Sequence, residues 1–410
     1  MRILWLSHFV PWPPVGHGAL QRSYHLLRAA AARHDVHLLA LAPPSAAAVD
    51  LDLREAARAL GNLTSSTQIF ALPKALGNLR RAGLLLSGLP QRQSFWVRWF
   101  HNRRMRSRLH ELRNQFDLVH VDSVVLASYR EALPDATVVL NHHNVESALV
   151  RQRSTTERHG VARAFLRHEA SKLELLERDW APRVAVNLVV SDLDGERLVR
   201  LAPSANVEVV PNGVDTAHFR ADPEIRPEPS TMAFAGGMDW YPNRDAMVYF
   251  ARDIWPRLVS TNARRRAIII GRSAPRDLTE LRDSRLEVLG FVPDVRPLVS
   301  RAAIYICPIR VGGGTRLKIL DALAMSRALV STDLGVEGLD LTPEVHFLRA
   351  NTPDEFDRQI TRLEGDEALR LRLGRAGREL VEKRFSWDVV GQSLLESYER
   401  AAGRRTVATR

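Results

Sequence analysis

The stretch from Cys307 to Leu339 constrains the fold of this chain most, because it contains four structural signals in succession. It reads CPIRVGGGTRLKILDALAMSRALVSTDLGVEGL. An apolar run stops at Gly312, Gly313 and Gly314, apolar residues then recur at helical spacing, and a second apolar run, ALVST, follows. This order predicts a strand, a glycine loop, a helix and a strand, which is the repeating unit of an α/β protein.

The glycine loop also favours phosphate binding. Adjacent glycines before a helix leave backbone N–H groups uncovered at its positive end, where a phosphate meets no Cβ. Arg316 and Lys318 add positive charge there, and Asp321, three residues after Lys318, places a carboxylate on a nearby part of the same helix, where it suits ribose hydroxyls. The stretch is typical of a nucleotide diphosphate site. A glycine-rich connection followed by a solvated basic helix start is the alternative.

Composition limits the class of protein. The chain has 410 residues, 45% of them hydrophobic, which is enough for roughly two or three domains. Its single cysteine, Cys307, excludes an intrachain disulfide framework and lies in an apolar run, which predicts a buried thiol and a reducing cytoplasm. No run approaches the ~18 to 20 apolar residues of a membrane span, and we expect no signal peptide at the N-terminus.

The formal net charge of +11 indicates attraction to an anionic partner. Ten basic residues and one acidic residue, Glu111, lie between Lys74 and Arg113, interleaved with leucines and aromatic residues. This pattern is typical of a segment that lies on an anionic membrane surface, here the inner face of the plasma membrane. A helix pair that packs its apolar side chains inward is the alternative. Nucleic-acid binding is not favoured, because no recognised module accompanies the patch.

The N-terminal stretch repeats the strand, glycine loop and helix order. A strand predicted from Ile3 to Ser7 precedes the loop HFVPWPPVGHGAL. Gly16 and Gly18 allow a backbone approach to a substrate phosphate, although a proline-rich turn explains the same residues. The dinucleotide fingerprint GxGxxG is not matched, because Gln21 takes the place of its last glycine, so NAD binding is not favoured.

Two successive series of apolar strands alternate with helices and predict two doubly wound parallel sheets with the ligand in the cleft between them. The predicted domains are residues 1–217 and 231–385, and a proline-rich linker at 218–230 joins them. A helix predicted at 386–410 crosses back to the first domain. A polar cluster, NHHNVE, follows a strand near residue 140. It lacks the spacing of a helical zinc pair, so we expect no metal there.

Four separated motifs carry a family resemblance: PPVGHGAL, VVPNGVDTAHF, FAGGMDWYPNRDAMVYF, and GGGTRLKILDALAM with STDLGVEGL. The chain resembles a GT-B glycosyltransferase of family 4, the large retaining group that moves a sugar from a nucleotide-sugar donor. The last two motifs further resemble a subgroup from bacterial exopolysaccharide and cell-envelope clusters. The resemblance implies the GT-B fold and a glycan acceptor, either free or lipid-linked.

The resemblance also implies roles for individual residues. Gly16 and Gly18 approach the donor diphosphate and the acceptor. His143, with His142 as its rival, lies near the transferred sugar, and Asp321 holds the donor ribose. The remaining residues that we expect at the donor site are Asn243, Arg272, Gly312, Gly313, Gly314 and Thr315.

Two departures from the family pattern affect the site. Gly313 replaces the first of two glutamates, and Asp321 replaces the second with a shorter side chain. The arginine and lysine that follow the first strand of the second domain are also missing. We expect Arg316 and Lys318 to supply that charge as catalytic residues, with Arg310 or Arg272 as further candidates.

These features predict a metal-independent transferase without a bound cofactor. Positive charges that are already fixed around the leaving nucleoside diphosphate stabilise it most. The sequence has no DxD-like acidic pair in a loop that would hold a divalent metal. Two other classes fit the same fold. One is a nucleotide-sugar epimerase or phosphorylase, and the other is a noncatalytic protein that binds nucleotides or a lipid surface.

Overall fold

The computed structural model of the protein describes residues 1–13, 18–43, 52–72, 83, 87–88, 90–281 and 283–408. The chain forms two compact units. Unit 1 contains Met1–Pro211 and Val390–Arg410, and unit 2 contains Asn212–Val389. The range 218–230, which the sequence predicts as a linker, therefore lies within unit 2.

Unit 1 is built on a parallel sheet of seven described strands in the order β3-β2-β1-β4-β5-β6-β7. The strands are β1 (Arg2–Ser7), β2 (Asp35–Ala42), β3 (Ser66–Ala71), β4 (Leu118–Val121), β5 (Val138–Asn141), β6 (Val186–Val189) and β7 (Val207–Val209). The helices that the structure describes here are α1 (Gly18–Ala31), α2 (Leu53–Gly61), α3 (Phe95–Trp99), α4 (Arg103–Glu111), α5 (Glu146–Thr156), α6 (Gly160–Trp180) and α7 (Asp192–Leu201), with 3-10 turns at Val124–Ala132 and Ala181–Arg183.

Unit 2 is built on a parallel sheet of six described strands in the order β10-β9-β8-β11-β12-β13. The strands are β8 (Glu228–Ala235), β9 (Arg266–Ile270), β10 (Leu286–Leu289), β11 (Ala302–Cys307), β12 (Ala328–Ser331) and β13 (Leu348–Arg349). The helices are α8 (Tyr241–Tyr249), which continues through a π-turn at Phe250–Ile254 into α9 (Trp255–Thr261), then α10 (Arg276–Thr279), α11 (Arg296–Arg301), α12 (Leu317–Ala324), α13 (Pro353–Gly365) and α14 (Glu367–Arg384). The last helix, α15, runs over Trp387–Ala408.

The prediction of two doubly wound parallel sheets is confirmed. The central strands read as near-continuous apolar runs because helices cover both faces of a parallel sheet. All six residues of β11 and all four of β12 are buried. Each sheet reverses its strand order once, between β1 and β4 in unit 1 and between β8 and β11 in unit 2. Ligands bind beyond the carboxyl ends of the strands at such a reversal.

Two helices follow the polar cluster after β5. The strand ends at Asn141, and α5 and α6 occupy most of the chain from Glu146 to Trp180. The extended backbone of Glu157 and His159 separates them. The apolar and polar residues of α5 have almost no helical periodicity, which is why the sequence pattern missed this helix.

The C-terminal helix α15 completes unit 1 from Val390 onward. It packs closely on α1, because a Cβ at Gly391 would lie 2.7 Å from the Cβ of Ala29. The buried Tyr398 hydroxyl lies 2.8 Å from Nδ1 of His120 on β4. Arg400 adds an ion pair with Glu208 on β7 at 2.8 Å.

The basic segment between residues 74 and 113 is only partly described, and residues 74–82, 84–86 and 89 lie outside the described residues. In the described part, Phe95 and Val97 of α3 are buried, whereas Trp96 is 36% exposed. Buried Glu169 of α6 anchors this helix by accepting hydrogen bonds from the Ser94 hydroxyl (2.8 Å) and the Phe95 N–H (2.7 Å). None of the helices in the described ranges is long and apolar enough to cross a membrane.

Candidate active site

The glycine loop of unit 2 lies between β11 and α12, beside the sheet reversal, as the sequence predicts. Gly312 and Gly314 have positive φ angles of 100° and 76°, which side chains with a Cβ rarely adopt. A Cβ at Gly312 would lie 2.5 Å from Cγ of Pro242 at the start of α8. The loop therefore requires glycine both for its conformation and for its contact with α8.

Arg316 organises this loop from inside. Its buried guanidinium donates hydrogen bonds to the carbonyl oxygens of Gly312 (2.8 Å) and Gly313 (2.7 Å), and also to that of Gly314. These bonds hold the three carbonyls toward the arginine. Arg316 thus lies in the predicted site, but its bonds fix the shape of the loop.

Lys318 brings a positive charge from α12 across to the loop after β8. Its ammonium donates a 2.6 Å hydrogen bond to Oδ1 of Asn243, and the Asn243 amide donates to the Gly237 carbonyl at 2.7 Å. A Cβ at Gly236 would lie 2.8 Å from Cε of Lys318. The lysine therefore occupies the region after the first strand of unit 2 where the sequence lacks its own cations.

Burial changes the acidity of both charged residues of α12. It lowers the pKa of Lys318 to about 8, and the nearby carboxylate of Asp321 opposes this shift. It raises the pKa of Asp321 to about 7, and the positive charge of Lys318 opposes that change. Both groups change charge near neutral pH, which is common for residues that bind or transform a substrate.

Two arginines lie just beyond the ends of β9 and β11, the strands on either side of β8. Arg272, two residues after β9, pairs with Asp239 at 3.1 Å. Arg310, three residues after β11, forms two hydrogen bonds with Asp245, at 3.1 and 3.2 Å, and its guanidinium lies 3.9 Å from the centre of the Tyr249 ring. Both aspartates come from the segment between β8 and the middle of α8.

Thr315 is also part of the loop. Its hydroxyl accepts a 2.5 Å hydrogen bond from the side-chain amide of Asn212, which belongs to the motif VVPNGVDTAHF. This bond joins two motifs that are about a hundred residues apart in sequence.

Unit 1 contains a second polar cluster, centred on Asp122 at the carboxyl end of β4. The fully buried carboxylate accepts hydrogen bonds from the Ser23 hydroxyl (2.5 Å) and the Asn141 amide (2.7 Å), with the Ser7 hydroxyl at 3.4 Å. Nε2 of His143 lies 3.3 Å from Oδ1 of Asp122. Burial tends to raise the pKa of Asp122, but His143 and the other donors hold it well below its ordinary value.

The structure separates the two candidate histidines. Nε2 of His142 contacts Oδ1 of buried Asn187 at 3.1 Å, and burial lowers the pKa of His142 to about 4. His142 is therefore a neutral core residue. His143 lies at the strand end beside Asp122, with the rings of His8 and Phe9 at centroid distances of 5.8 and 6.1 Å.

The N-terminal glycines are only partly described. Gly18 is the first residue of α1, whereas Gly16 lies outside the described residues. The same helix carries Ser23 and Arg22 into the polar cluster, where Arg22 donates a 2.8 Å hydrogen bond to Oδ1 of Asn141.

Sequence reasoning missed Asp122, Ser23 and Asn212 as site residues. The available signal was positional, because Asp122 directly follows an apolar run that ends at a predicted parallel strand terminus. A single aspartate at that position is common, and only its hydrogen-bond partners in the structure distinguish this one from an ordinary loop residue.

Two family models match the chain and together span most of it. Residues 17–218 match the model described as Glycosyltransferase Family 4, and residues 229–366 match the model described as Glycosyl transferases group 1. The protein is a glycosyltransferase. No curated protein matches its sequence.

Solved structures share the fold of this glycosyltransferase. Sucrose-phosphate synthase from Thermosynechococcus elongatus matches with a TM-score of 0.72 and 16% identity, covering 100% of both chains. Anabaena HepE in complex with UDP-glucose has a TM-score of 0.63 and 13% identity, over 97% of this chain and 99% of that one. The lipopolysaccharide outer core galactosyltransferase WaaB has a TM-score of 0.58 and 13% identity, over 97% of this chain and 99% of that one. These likenesses establish the GT-B fold.

We expect Gly312→Ala to destabilise the glycosyltransferase by on the order of 1–3 kcal/mol, because alanine is strained at this φ and its Cβ meets Pro242. Urea unfolding measures the effect. Gly365→Ala is the matched control, because a Cβ there meets nothing within 4 Å. Equal stability of the two variants would show that the loop does not depend on glycine at 312.

Affinity for a nucleoside diphosphate should decrease as the pH rises through 8. The pKa of Lys318 is about 8, so the lysine is charged below this pH and neutral above it, and the anion prefers the charged form. Calorimetric titration with UDP between pH 6.5 and 9 measures this, with a slope that reaches at most about tenfold per pH unit. Lys318→Arg keeps its charge over this range. Parallel slopes in the two proteins would contradict the assignment.

Proposed function

We propose that this glycosyltransferase moves a sugar, with retention of anomeric configuration, from a nucleoside diphosphate sugar to a glycan of the cell envelope or an exopolysaccharide. One observation carries the donor half of this proposal: Lys318 of α12 is held by Asn243 at the loop after β8. That bond places an ammonium group at a strand reversal beside a glycine loop, where a diphosphate is expected to bind.

The cations of unit 2 match the charge that develops in the reaction. When the bond between the anomeric carbon and the phosphate oxygen breaks, the leaving nucleoside diphosphate gains negative charge. Positive groups fixed in advance stabilise that charge most, because they need no reorganisation. Lys318 supplies an ammonium, and the N–H groups of the loop that Arg316 shapes supply backbone donors.

Arg272 and Arg310 add two guanidinium groups that a phosphate is able to recruit. Both are paired with aspartates, but the side chains of Arg272 and Arg310 are 38% and 42% exposed. Exposed ion pairs contribute only about 0–1 kcal/mol, so exchanging a carboxylate for a diphosphate is inexpensive. In this proposal Asp239 and Asp245 orient the arginines until the donor arrives.

Asp321 is the residue that we assign to the donor ribose. It follows Lys318 by one helical turn, and its raised pKa of about 7 leaves a large protonated fraction in the empty site. A carboxyl group that is protonated in part of the molecules costs less to bury than one that is always ionised. It accepts hydrogen bonds from hydroxyls and, when protonated, donates them. Binding of a diphosphate beside Lys318 keeps the lysine charged, which in turn favours the ionised carboxylate.

Retention follows if the acceptor attacks from the same face as the leaving group. The acceptor hydroxyl forms the new bond to the anomeric carbon, and its proton passes to the phosphate oxygen that leaves. His143 contacts the transferred sugar in this scheme, as the family resemblance implies. No metal or cofactor takes part, so activity is expected to survive EDTA.

The structural neighbours support the choice of donor and acceptor class. HepE was solved with UDP and with UDP-glucose, which makes UDP the first nucleotide to test. WaaB is named as a lipopolysaccharide outer core galactosyltransferase, which agrees with an envelope acceptor.

A lipid-linked acceptor is supported by the described part of the basic segment. Trp96 is exposed on α3, and the arginines at positions 103, 104 and 106 of α4 are exposed around a buried Met105 and Leu109. An exposed aromatic ring beside arginines suits the head-group region of an anionic bilayer. In this proposal the enzyme binds peripherally to the cytoplasmic face of the membrane.

A thermal-shift panel of UDP, GDP, ADP, CMP and NAD tests the donor site. A nucleotide at about 100 times its Kd stabilises the native state by roughly 2.7 kcal/mol. We expect one nucleoside diphosphate to do so in the wild type and not in Lys318→Ala. Lys383→Ala, which removes an exposed lysine of the same unit, should behave like the wild type. A shift that persists in Lys318→Ala would exclude this donor site. No shift with any nucleotide would contradict the proposed donor site.

Liposome flotation tests the membrane half of the proposal. Vesicles with anionic lipid should carry the wild type upward, and neutral vesicles should not. Trp96→Ala should weaken flotation, whereas Trp240→Ala, which removes another exposed tryptophan, should leave it unchanged. Equal binding to both kinds of vesicle, or to neither, would remove the membrane surface from the proposal.

A further inference from the structure

Asp122 has an environment that a purely structural aspartate does not need. It is fully buried and ionised, within reach of hydroxyl, amide and imidazole donors that converge from β1, α1 and β5. Removing a carboxylate from water costs several kcal/mol unless it is fully bonded. A buried, ionised group beside a strand reversal, where ligands bind, is a candidate for a functional role.

The contacts of His143 decide which ring nitrogen carries the proton. Nε2 lies 3.0 Å from the backbone carbonyl of Asp122 and 3.3 Å from its carboxylate. Both oxygens only accept hydrogen bonds, so Nε2 must be the donor and carry the hydrogen. In the neutral ring Nδ1 is then an acceptor.

Nδ1 of His143 is buried and has no hydrogen-bond partner among the described residues. The whole residue is only 9% exposed. A buried polar atom without a partner costs about 1–3 kcal/mol, and a ligand that supplies a donor removes this cost. Sugars carry hydroxyl donors, and the rings of His8 and Phe9 beside His143 offer apolar surface to the faces of a sugar.

A second histidine approaches the same carboxylate from β4. The Tyr398 hydroxyl lies 2.8 Å from Nδ1 of His120, and burial keeps the tyrosine pKa well above its ordinary value, so the hydroxyl is the donor. This bond leaves the proton of neutral His120 on Nε2, which lies 3.8 Å from Oδ1 of Asp122. This distance is too long for a hydrogen bond, but the N–H dipole of His120 still interacts favourably with the carboxylate.

We propose that Asp122 is a positioning residue of the transferase. It holds His143 with Nε2–H directed inward, so that Nδ1 is the atom offered to a sugar hydroxyl, and its negative charge strengthens that acceptor. This inference rests on the proposed function for the identity of the sugar, but the pairing of Asp122 with His143 is independent of it.

Nitrogen-15 NMR of the histidine-labelled protein tests the pairing without any substrate. His143→Gln identifies the signals of His143. We expect a proton on Nε2 and none on Nδ1, with the Nε2–H resonance shifted downfield by the carboxylate. Asp122→Asn should move this resonance upfield. A proton on Nδ1, or an unchanged Nε2–H resonance in Asp122→Asn, would overturn the proposal.

Glu177→Gln is the matched control for removing a buried carboxyl group from unit 1. Burial raises the pKa of Glu177 to about 8, so this carboxyl group is mostly protonated at neutral pH and glutamine replaces it without a change of charge. It accepts hydrogen bonds from Ser147, outside the Asp122 cluster. We expect the NMR signals of His143 and the kcat of the control to match the wild type.

Turnover of UDP-glucose, followed as UDP release, separates positioning from folding. Asp122→Asn should lower kcat roughly 10- to 100-fold with little change in the donor KM. This is less than the ~10⁴-fold loss when the aspartate of a catalytic triad is neutralised, because here the backbone carbonyl still holds Nε2. In a His143→Gln background the same change should have little effect. An equal loss in both backgrounds would mean that Asp122 acts only on the fold.

The two proposals fail in different ways. If UDP-glucose gives neither turnover nor a thermal shift, the proposed donor is wrong, and the NMR experiment still decides whether Asp122 positions His143. If turnover is normal in Asp122→Asn, the proposed function stands and the positioning role is excluded. Thermal unfolding of each variant shows whether a loss of kcat accompanies a loss of structure.

Discussion

The polar chemistry of both units depends on the burial of their parallel strands. A strand with helices on both faces tolerates few polar side chains along its length, so polar groups collect where the strands end. The reversal of strand order then leaves an opening at one place in each sheet. Asp122 follows β4 in unit 1, and the glycine loop follows β11 in unit 2. The position of both sites is thus a consequence of how the sheets are buried.

The sequence predicts this framework because its signals are local. Apolar runs, helical spacing and adjacent glycines all act within about twenty residues, and they locate β11, the loop and α12 correctly. The side-chain pairings are not local. Lys318 and Asn243 are 75 residues apart, and Ser23 and Asp122 are 99 apart. No spacing rule connects such pairs, so Asn243 entered the prediction only through a family resemblance and Asp122 not at all.

Arg316 illustrates a second limit. A guanidinium that binds phosphate and one that binds the carbonyls of its own loop have the same sequence context, namely glycines before a basic helix start. Only the direction of the side chain distinguishes them, and here it points at the carbonyls of the loop.

Lys318 is one of the few lysines in the chain. The chain has 58 basic residues, of which only four are lysines. Two of the four, Lys172 and Lys318, donate hydrogen bonds from sheltered positions. Lys172 donates to the Gly88 carbonyl and to Glu169, and Lys318 donates to Asn243. A compact ammonium has three N–H donors, whereas a planar guanidinium has five and needs more acceptors. Where bidentate geometry is available, as at Asp245, the chain uses arginine.

The return of α15 to unit 1 has a consequence for how the chain is made. Unit 1 is encoded in two pieces, and the whole of unit 2 is encoded between them. A ribosome synthesises a chain from its N-terminus, at about 5–20 residues per second. The pocket around His120 therefore stays open until Tyr398 emerges, while unit 2 is continuous and already complete. The unit that is begun first is therefore finished last.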